Sequence, residues 1–392
     1  MKQAAFASVA VESSRREEIC AIFDEPYDPD HWNDWRWQMR HRLTRLDQFE
    51  RLLDLTEAER RGLLLASEKF SVAVTPHFAA LIDPFDPSCP IRLQVVPQES
   101  ELVVSRGDMT DPCGEDGASV VEGLVHRYPD RVLFLALDTC AAYCRYCTRS
   151  RLVSQGELDP IGRRLEAAIA YLEEHTEVRD VLLSGGDPLL MADSVLDKLL
   201  GRLRAIPHLE FLRIGTRIPS FLPQRITPEL VAVLRKHRVW LSVHFCHARE
   251  LTPEVAEACD LLADGGIPLG CQTVLLKGVN DSAETLRDLF HGLLKNRVRP
   301  YYLYQCDPVL GTGHLRTSVE KGLEIMSQLR GFTTGYAVPT YVIDAPGGGG
   351  KVPVQRETIA GNEDGVWSIR NWEGKTFSYV DPAEHSVSVN DR

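Results

Sequence analysis

The sequence predicts an α/β fold, a partial (β/α)6 barrel with a helical N-terminal region before it and a C-terminal extension after it. Three observations carry that prediction. Six short β-like runs from residue 131 onward alternate with amphipathic stretches around 158–175, 193–205, 227–238, 252–265, 282–295 and 318–330. Repeated β-then-α units call for parallel strands joined by right-handed crossovers, and six curled units make most of a barrel. The residues before 76 carry apolar side chains at helical spacing instead, and those after 352 break into short strand-like pieces.

In chain order, "DPDHWNDWRWQMRHRLTRLDQFERLLDLTEAERRGLLLAS" has an acidic helix start at Asp28 and Asp30 and makes 12–75 a helical region. Residues 76–118 are rich in Pro and Asp and read as an extended, irregular connection. The strands follow as "RVLFLALDT", "DVLLSGGDP", "EFLRIGTR", "VWLSVHF", "PLGCQTVLLKG" and "RPYYLYQCDP". A last strand-like run, "YAVPTYVIDAP", leads into "GGGGK", and "VWSIRNWEG" and "TFSYV" close the chain. The expected units are 1–118, 119–335 and 336–392.

Composition narrows the partners. A net charge of −12 repels phosphate backbones, so nucleic acid is not expected. The sequence has no basic-then-apolar leader and no apolar run near the roughly 20 residues that span a bilayer, so a cytoplasmic location without membrane attachment is expected. Ten cysteines in such a chain do not form a disulfide framework; clustered ones point to metal.

The cluster is "DTCAAYCRYCTRSR", with Cys140, Cys144 and Cys147 directly after the first barrel strand. Structural zinc usually takes four Cys or His ligands in paired spacings, whereas this loop has three cysteines and no histidine. Three thiolates on a four-iron cluster leave one iron open to a small chelating molecule, and barrel chemistry sits where strands end. "SGGDP" ends the next strand and alone would be an ordinary turn. In "DAPGGGGK", glycines allow backbone to approach a ligand and a lysine stands ready to join an aldehyde cofactor.

Together these segments resemble the lysine 2,3-aminomutase family of radical S-adenosylmethionine enzymes. The resemblance runs through "WNDWRWQ", "GLVHRYPDRVLFL", "CAAYCRYCTRSR", "LLSGGDPLL", "RIGTRIPSFLPQRI", "VLLKGVND", "RPYYLYQCD", "GTGHLRT", "RGFTTGYAVPTYVIDAPGGGGK" and "RNWEG". It implies a TIM-like radical SAM barrel and three cofactors: a 4Fe–4S cluster on the three cysteines, S-adenosylmethionine, and pyridoxal 5′-phosphate on Lys351. Arg127 and Arg131 would lie by the oxygens of pyridoxal phosphate. Ser184, Gly185, Gly186, Asp187, His244 and Gln272 would contact S-adenosylmethionine.

For the substrate, the resemblance matches Arg149 to the carboxylate of an α-amino acid, which a guanidinium can grip with two bonds. Asp307 ends the sixth strand and Asp344 the next run, and two converging carboxylates want a cation between them. Both match the family's ligands for a side-chain amine, and members acting on glutamate differ there. The implied reaction moves the α-amino group of L-lysine to the β-carbon. It uses a 5′-deoxyadenosyl radical and an external one-electron reductant, and a homo-oligomer is among the expected partners. Arginine 2,3-aminomutase and a non-catalytic metal-binding scaffold are the alternatives.

Two departures stand out. Clostridial relatives have a cysteine directly after "GVND" where this chain has Ser282, and no cysteine follows Cys306, so their zinc site is not expected here. Cys246 and Cys271 stand where relatives often have asparagine.

Overall fold

The computed structural model describes residues 13–69, 71–153 and 160–382. Its centre is a ten-stranded sheet in strictly sequential order. The strands are β1 (Ser119–Val121), β2 (Leu124–Tyr128), β3 (Arg131–Leu137), β4 (Asp180–Gly185), β5 (Phe211–Thr216), β6 (Trp240–His244), β7 (Leu269–Leu275), β8 (Arg299–Gln305), β9 (Thr340–Ala345) and β10 (Gly350–Pro353). From β3 to β9 every neighbouring pair is parallel. The partial barrel thus has seven parallel strands. The sixth amphipathic stretch, Val319–Leu329, is a crossover helix, and "YAVPTYVIDAP" supplies the strand it leads to. Two antiparallel edges extend the sheet: β1 and β2 at one end, turning at Gly123 (φ +79°), and β10 at the other.

The helices cover the outer face as their patterns require. Asp193–Arg204 buries Leu196, Leu199, Leu200 and Leu203, and Ala283–Lys295 buries Leu286, Leu289, Phe290 and Leu293, each set at the spacing of one helix face. The strands alternate in register with this. In β7, Leu269, Cys271, Thr273 and Leu275 are buried, while Gly270, Gln272 and Val274 are less so. Gln272 and Val274 line the cavity described below.

The N-terminal region is helical but divided. Asp28 accepts from Asp30 N at 2.9 Å and caps Pro29–Asn33, and Asp34 accepts from Arg36 N at 2.9 Å and caps Trp35–Arg40. Segment 76–118, expected as irregular connection, is mostly turns and short helical pieces, but its first part enters the core: residues 76–82 are all buried, and Phe78 and Ala79 have no exposed surface. Thr75 Oγ1 donates to Phe221 O at 2.5 Å, and the buried Arg92–Glu59 pair at 2.7 Å joins the connection to the helices before it. After β10, β11 (Ile359–Glu363), β12 (Val366–Arg370) and β13 (Thr376–Val380) form a separate antiparallel sheet. Among the described residues, no helix is long and apolar enough to cross a membrane.

Candidate active site

A cavity of about 710 Å³ runs along the inner face of the sheet. Its walls are alternate residues of successive strands: Asp180, Leu182 and Ser184 from β4; Arg213 and Gly215 from β5; Ser242 and His244 from β6; Gln272 and Val274 from β7. Cys144, Cys147, Arg149, Arg127, Arg131, Asp307, Asp344 and Lys351 line it as well. The structure therefore gathers most sequence-selected residues around one space. Gly185, Gly186 and Asp187 lie behind the wall. There Asp187 N donates to Thr139 O at 2.8 Å, and Asp187 accepts from Thr216 Oγ1 at 2.8 Å and Arg217 N at 2.7 Å. Burial pushes the Asp187 carboxyl up to about 6 against these hydrogen bonds.

All three loop cysteines are free thiols at intermediate exposure. Burial, followed by the neighbouring Cys147 thiol, drives the Cys140 pKa well up. Burial and then Cys144 push Cys147 up to about 11. Cys140 and Cys147 thus resist becoming thiolates, so the loop suits a cationic group that would share and stabilise their charge. Among the described residues no three His, Cys, Asp or Glu side chains converge as a single metal ion would need. A four-iron cluster instead takes each thiolate on a different iron. One cation already reaches this loop: Arg217 Nη1 donates to Cys144 Sγ at 2.9 Å and to Tyr146 Oη at 2.5 Å. Tyr146 Oη is hydrogen-bonded to His244 Nε2 at 2.9 Å and Cys246 Sγ at 3.1 Å. Burial, and then the charge of Arg217, hold the His244 imidazole well below its ordinary pKa. Cys271 faces outward into the core.

At the other end of the cavity, cross-strand pairing sets Lys351 opposite Asp344. Lys351 Nζ lies 3.2 Å from Asp344 Oδ2, and Arg127 Nη2 lies 3.1 Å from Asp344 Oδ1. Tyr128 Oη accepts the Lys351 backbone N–H at 2.9 Å, and Arg131 stacks 4.1 Å above the Tyr128 ring. Burial disfavours the Tyr128 phenolate, yet this hydrogen bond and the Lys351 and Arg127 charges together lower its pKa. A primary amine, two guanidiniums and an aromatic ring on one cavity wall fit an aldehyde cofactor bearing a phosphate.

Asp307 is the site's unpaired acid. Thr312 Oγ1 donates to its backbone carbonyl at 3.2 Å, but among the described residues nothing gives its carboxylate a hydrogen bond or ion pair. Burial, and then repulsion from Asp344, push its carboxyl up to about 7 despite the pull of Lys351, Arg127 and Arg149. Sequence reasoning did not find Tyr128, Arg217 or Glu115. The buried Glu115 fills the fork of Arg149, accepting from Nη2 at 2.7 Å and from Nε at 3.0 Å, while Arg149 Nη1 donates to Ser184 Oγ at 3.2 Å. Glu115 lies in the irregular connection, where no periodicity marks a residue as inward-facing.

Residues 136–290 match the family model of the radical SAM superfamily, and residues 326–391 match that of lysine-2,3-aminomutase. The L-lysine 2,3-aminomutase of Clostridium subterminale is 48% identical over 94% of this chain and 89% of its own length. The Bacillus subtilis (strain 168) enzyme of the same name is 48% identical over 90% of this chain and 75% of its own. The chain belongs to the lysine 2,3-aminomutase family. Membership makes it a radical SAM isomerase whose cofactors are a 4Fe–4S cluster, S-adenosylmethionine and pyridoxal phosphate. Specificity within the family divides, since the glutamate 2,3-aminomutase of Clostridioides difficile (strain 630) is 39% identical over 94% of this chain and 87% of its own length.

Proposed function

We propose that this aminomutase acts on L-lysine, moving its α-amino group to the β-carbon to give β-lysine. The observation that carries the reading is Asp307, a partly buried carboxylate without a partner, close enough to Asp344 for the two to repel. A side-chain ammonium between them would relieve that repulsion, whereas a carboxylate guest would add to it. Arg149 would take the substrate carboxylate and Asp307 and Asp344 its side-chain amine, fixing the carbon chain at both ends.

Cys140, Cys144 and Cys147 would hold the cluster, and Lys351, with Arg127 and Arg131, the pyridoxal phosphate. Ser184, His244 and Gln272 would meet S-adenosylmethionine from the wall, while Gly185, Gly186 and Asp187 would brace the turn behind it. When bound, the cluster and S-adenosylmethionine supply a radical that takes a β-hydrogen, and pyridoxal phosphate supplies the unsaturation through which nitrogen migrates. The chain's residues align these parts and keep water out. An external one-electron donor completes the system, and a homo-oligomer is the assembly we favour.

Anaerobic turnover of the reconstituted protein with reductant tests the reading, with L-lysine, L-arginine and L-glutamate offered separately. β-Lysine as the dominant product is expected. β-Arginine alone would keep the paired acids and reassign the substrate to a longer base; β-glutamate alone would overturn their role.

A further inference from the structure

We propose that Arg217 sets the reduction potential of the cluster through its hydrogen bond to the Cys144 sulfur. The inference rests on the cysteine loop holding that cluster and goes beyond it to a residue outside the loop. Arg217 follows β5, and its backbone N–H is fixed by Asp187 Oδ2 at 2.7 Å. Its side chain is 7% exposed and sits over Phe221, with the guanidinium carbon 4.0 Å from the ring centroid. Nη1 donates to Cys144 Sγ at 2.9 Å, while Nη2 donates to Gln94 and, at 3.3 Å, to Glu250 Oε2. Glu250 has no exposed surface and is itself held by the Cys246 and His247 backbone N–H groups at 3.0 and 2.9 Å and by Ser220 Oγ at 2.6 Å. A buried cation with so many restraints cannot swing away from the sulfur.

The physical consequence has a definite sign. Uptake of one electron, delivered by an external one-electron donor, makes the cluster and its thiolates one unit more negative. A fixed positive N–H donor on a ligating sulfur stabilises that added charge, so it raises the potential and makes the first electron easier to place. Glu250 limits the effect without cancelling it, because it sits on the far nitrogen while Nη1 meets the sulfur. The same Nη1 also holds Tyr146, whose hydroxyl reaches His244 on the cavity wall, so the cluster sulfur and that wall share one donor.

The test is an EPR-monitored redox titration of the full chain, reconstituted anaerobically, as parent, Arg217→Gln and Arg217→Lys, with iron and sulfide measured on each. In Arg217→Gln the equilibrium constant for taking up the electron should fall tenfold or more, which is a drop in midpoint potential of at least 59 mV for one electron. Arg217→Lys, which keeps the charge without the planar fork, should recover part of the shift. An unchanged midpoint in Arg217→Gln at parental iron content overturns the proposal. Failure of both variants to hold iron would overturn it too, making Arg217 an assembly residue. A parent protein that takes up no iron would instead defeat the cluster reading on which the proposal stands.

Discussion

Glu115 and Arg149 form a two-pronged ion pair, at 2.7 and 3.0 Å, on the guanidinium that we propose takes the substrate carboxylate. Glu115 is 6% exposed and the Arg149 side chain 20%, so the carboxylate has little water to turn to and the charge-assisted pair is tight. An incoming carboxylate has to share the guanidinium or push Glu115 off it.

Glu115→Gln should therefore lower KM for the amino acid, by about threefold to tenfold, the scale of roughly 1 kcal/mol. The same change should lower the melting temperature, because a buried charge loses its partner. Arg149→Lys should raise KM about tenfold or more, since a single ammonium cannot reproduce the fork. Steady-state kinetics on both variants decide it. A KM that rises in Glu115→Gln would mean Glu115 orients Arg149 rather than competing for it.

Asp307 gives the site a pH dependence with a known direction. With its carboxyl pushed up to about 7, the empty site is largely protonated at pH 6 and cannot hold an ammonium. kcat/KM for lysine should fall about tenfold per unit as pH drops below 7, and Asp307→Asn should be low and flat over that range. Stability runs the other way. The folded value lies above the unfolded one of about 3.9, so the folded chain binds the proton more tightly between the two. This contribution is present below about pH 4 and lost as pH rises through 7. Asp307→Asn should remove that decline, which thermal melts from pH 4 to 8 would register.

Gly186 carries the turn behind the cysteine loop. A Cβ there would meet the Thr139 backbone, its carbonyl carbon at 2.6 Å, one residue before Cys140. Gly186→Ala should displace the loop and cut iron incorporation severalfold. Gly162→Ala is the control: its Cβ meets nothing within 4 Å, it lies in the first turn of the helix Ile161–Glu174, and it should keep the parental iron content with stability unchanged or slightly raised. Equal iron in the Gly186 variant and the parent would show that the loop tolerates the shift.

The sequence made the parallel strands legible because each carries an apolar run bounded by turn residues, and the helices because their leucines recur on one face. Lys351 and the three cysteines stand in short motifs whose chemistry needs no fold to be noticed. Arg217 and Glu115 were not legible. An arginine after a strand and a glutamate in a Pro- and Asp-rich stretch are usually exposed, and only the folded chain shows one against Cys144 Sγ and the other in the Arg149 fork. The seventh parallel strand is legible as a strand but not by its place in the sheet, since β9 pairs with β8 only after the crossover helix Val319–Leu329 returns the chain to that edge.

Lys351 offers the sharpest separation of chemistry from structure. Its ammonium is paired with Asp344 at 3.2 Å, and its backbone N–H is held by Tyr128 at 2.9 Å. Lys351→Arg keeps a cation for Asp344 and keeps the backbone contact, but it has no primary amine to join an aldehyde. The variant should melt within a few degrees of the parent, still fill with iron, lose the visible absorbance that pyridoxal phosphate gives the parent, and retain no label after borohydride reduction. Turnover should fall below detection. A labelled Lys351→Arg protein would mean that another lysine carries the cofactor, and peptide mapping of the label would identify it.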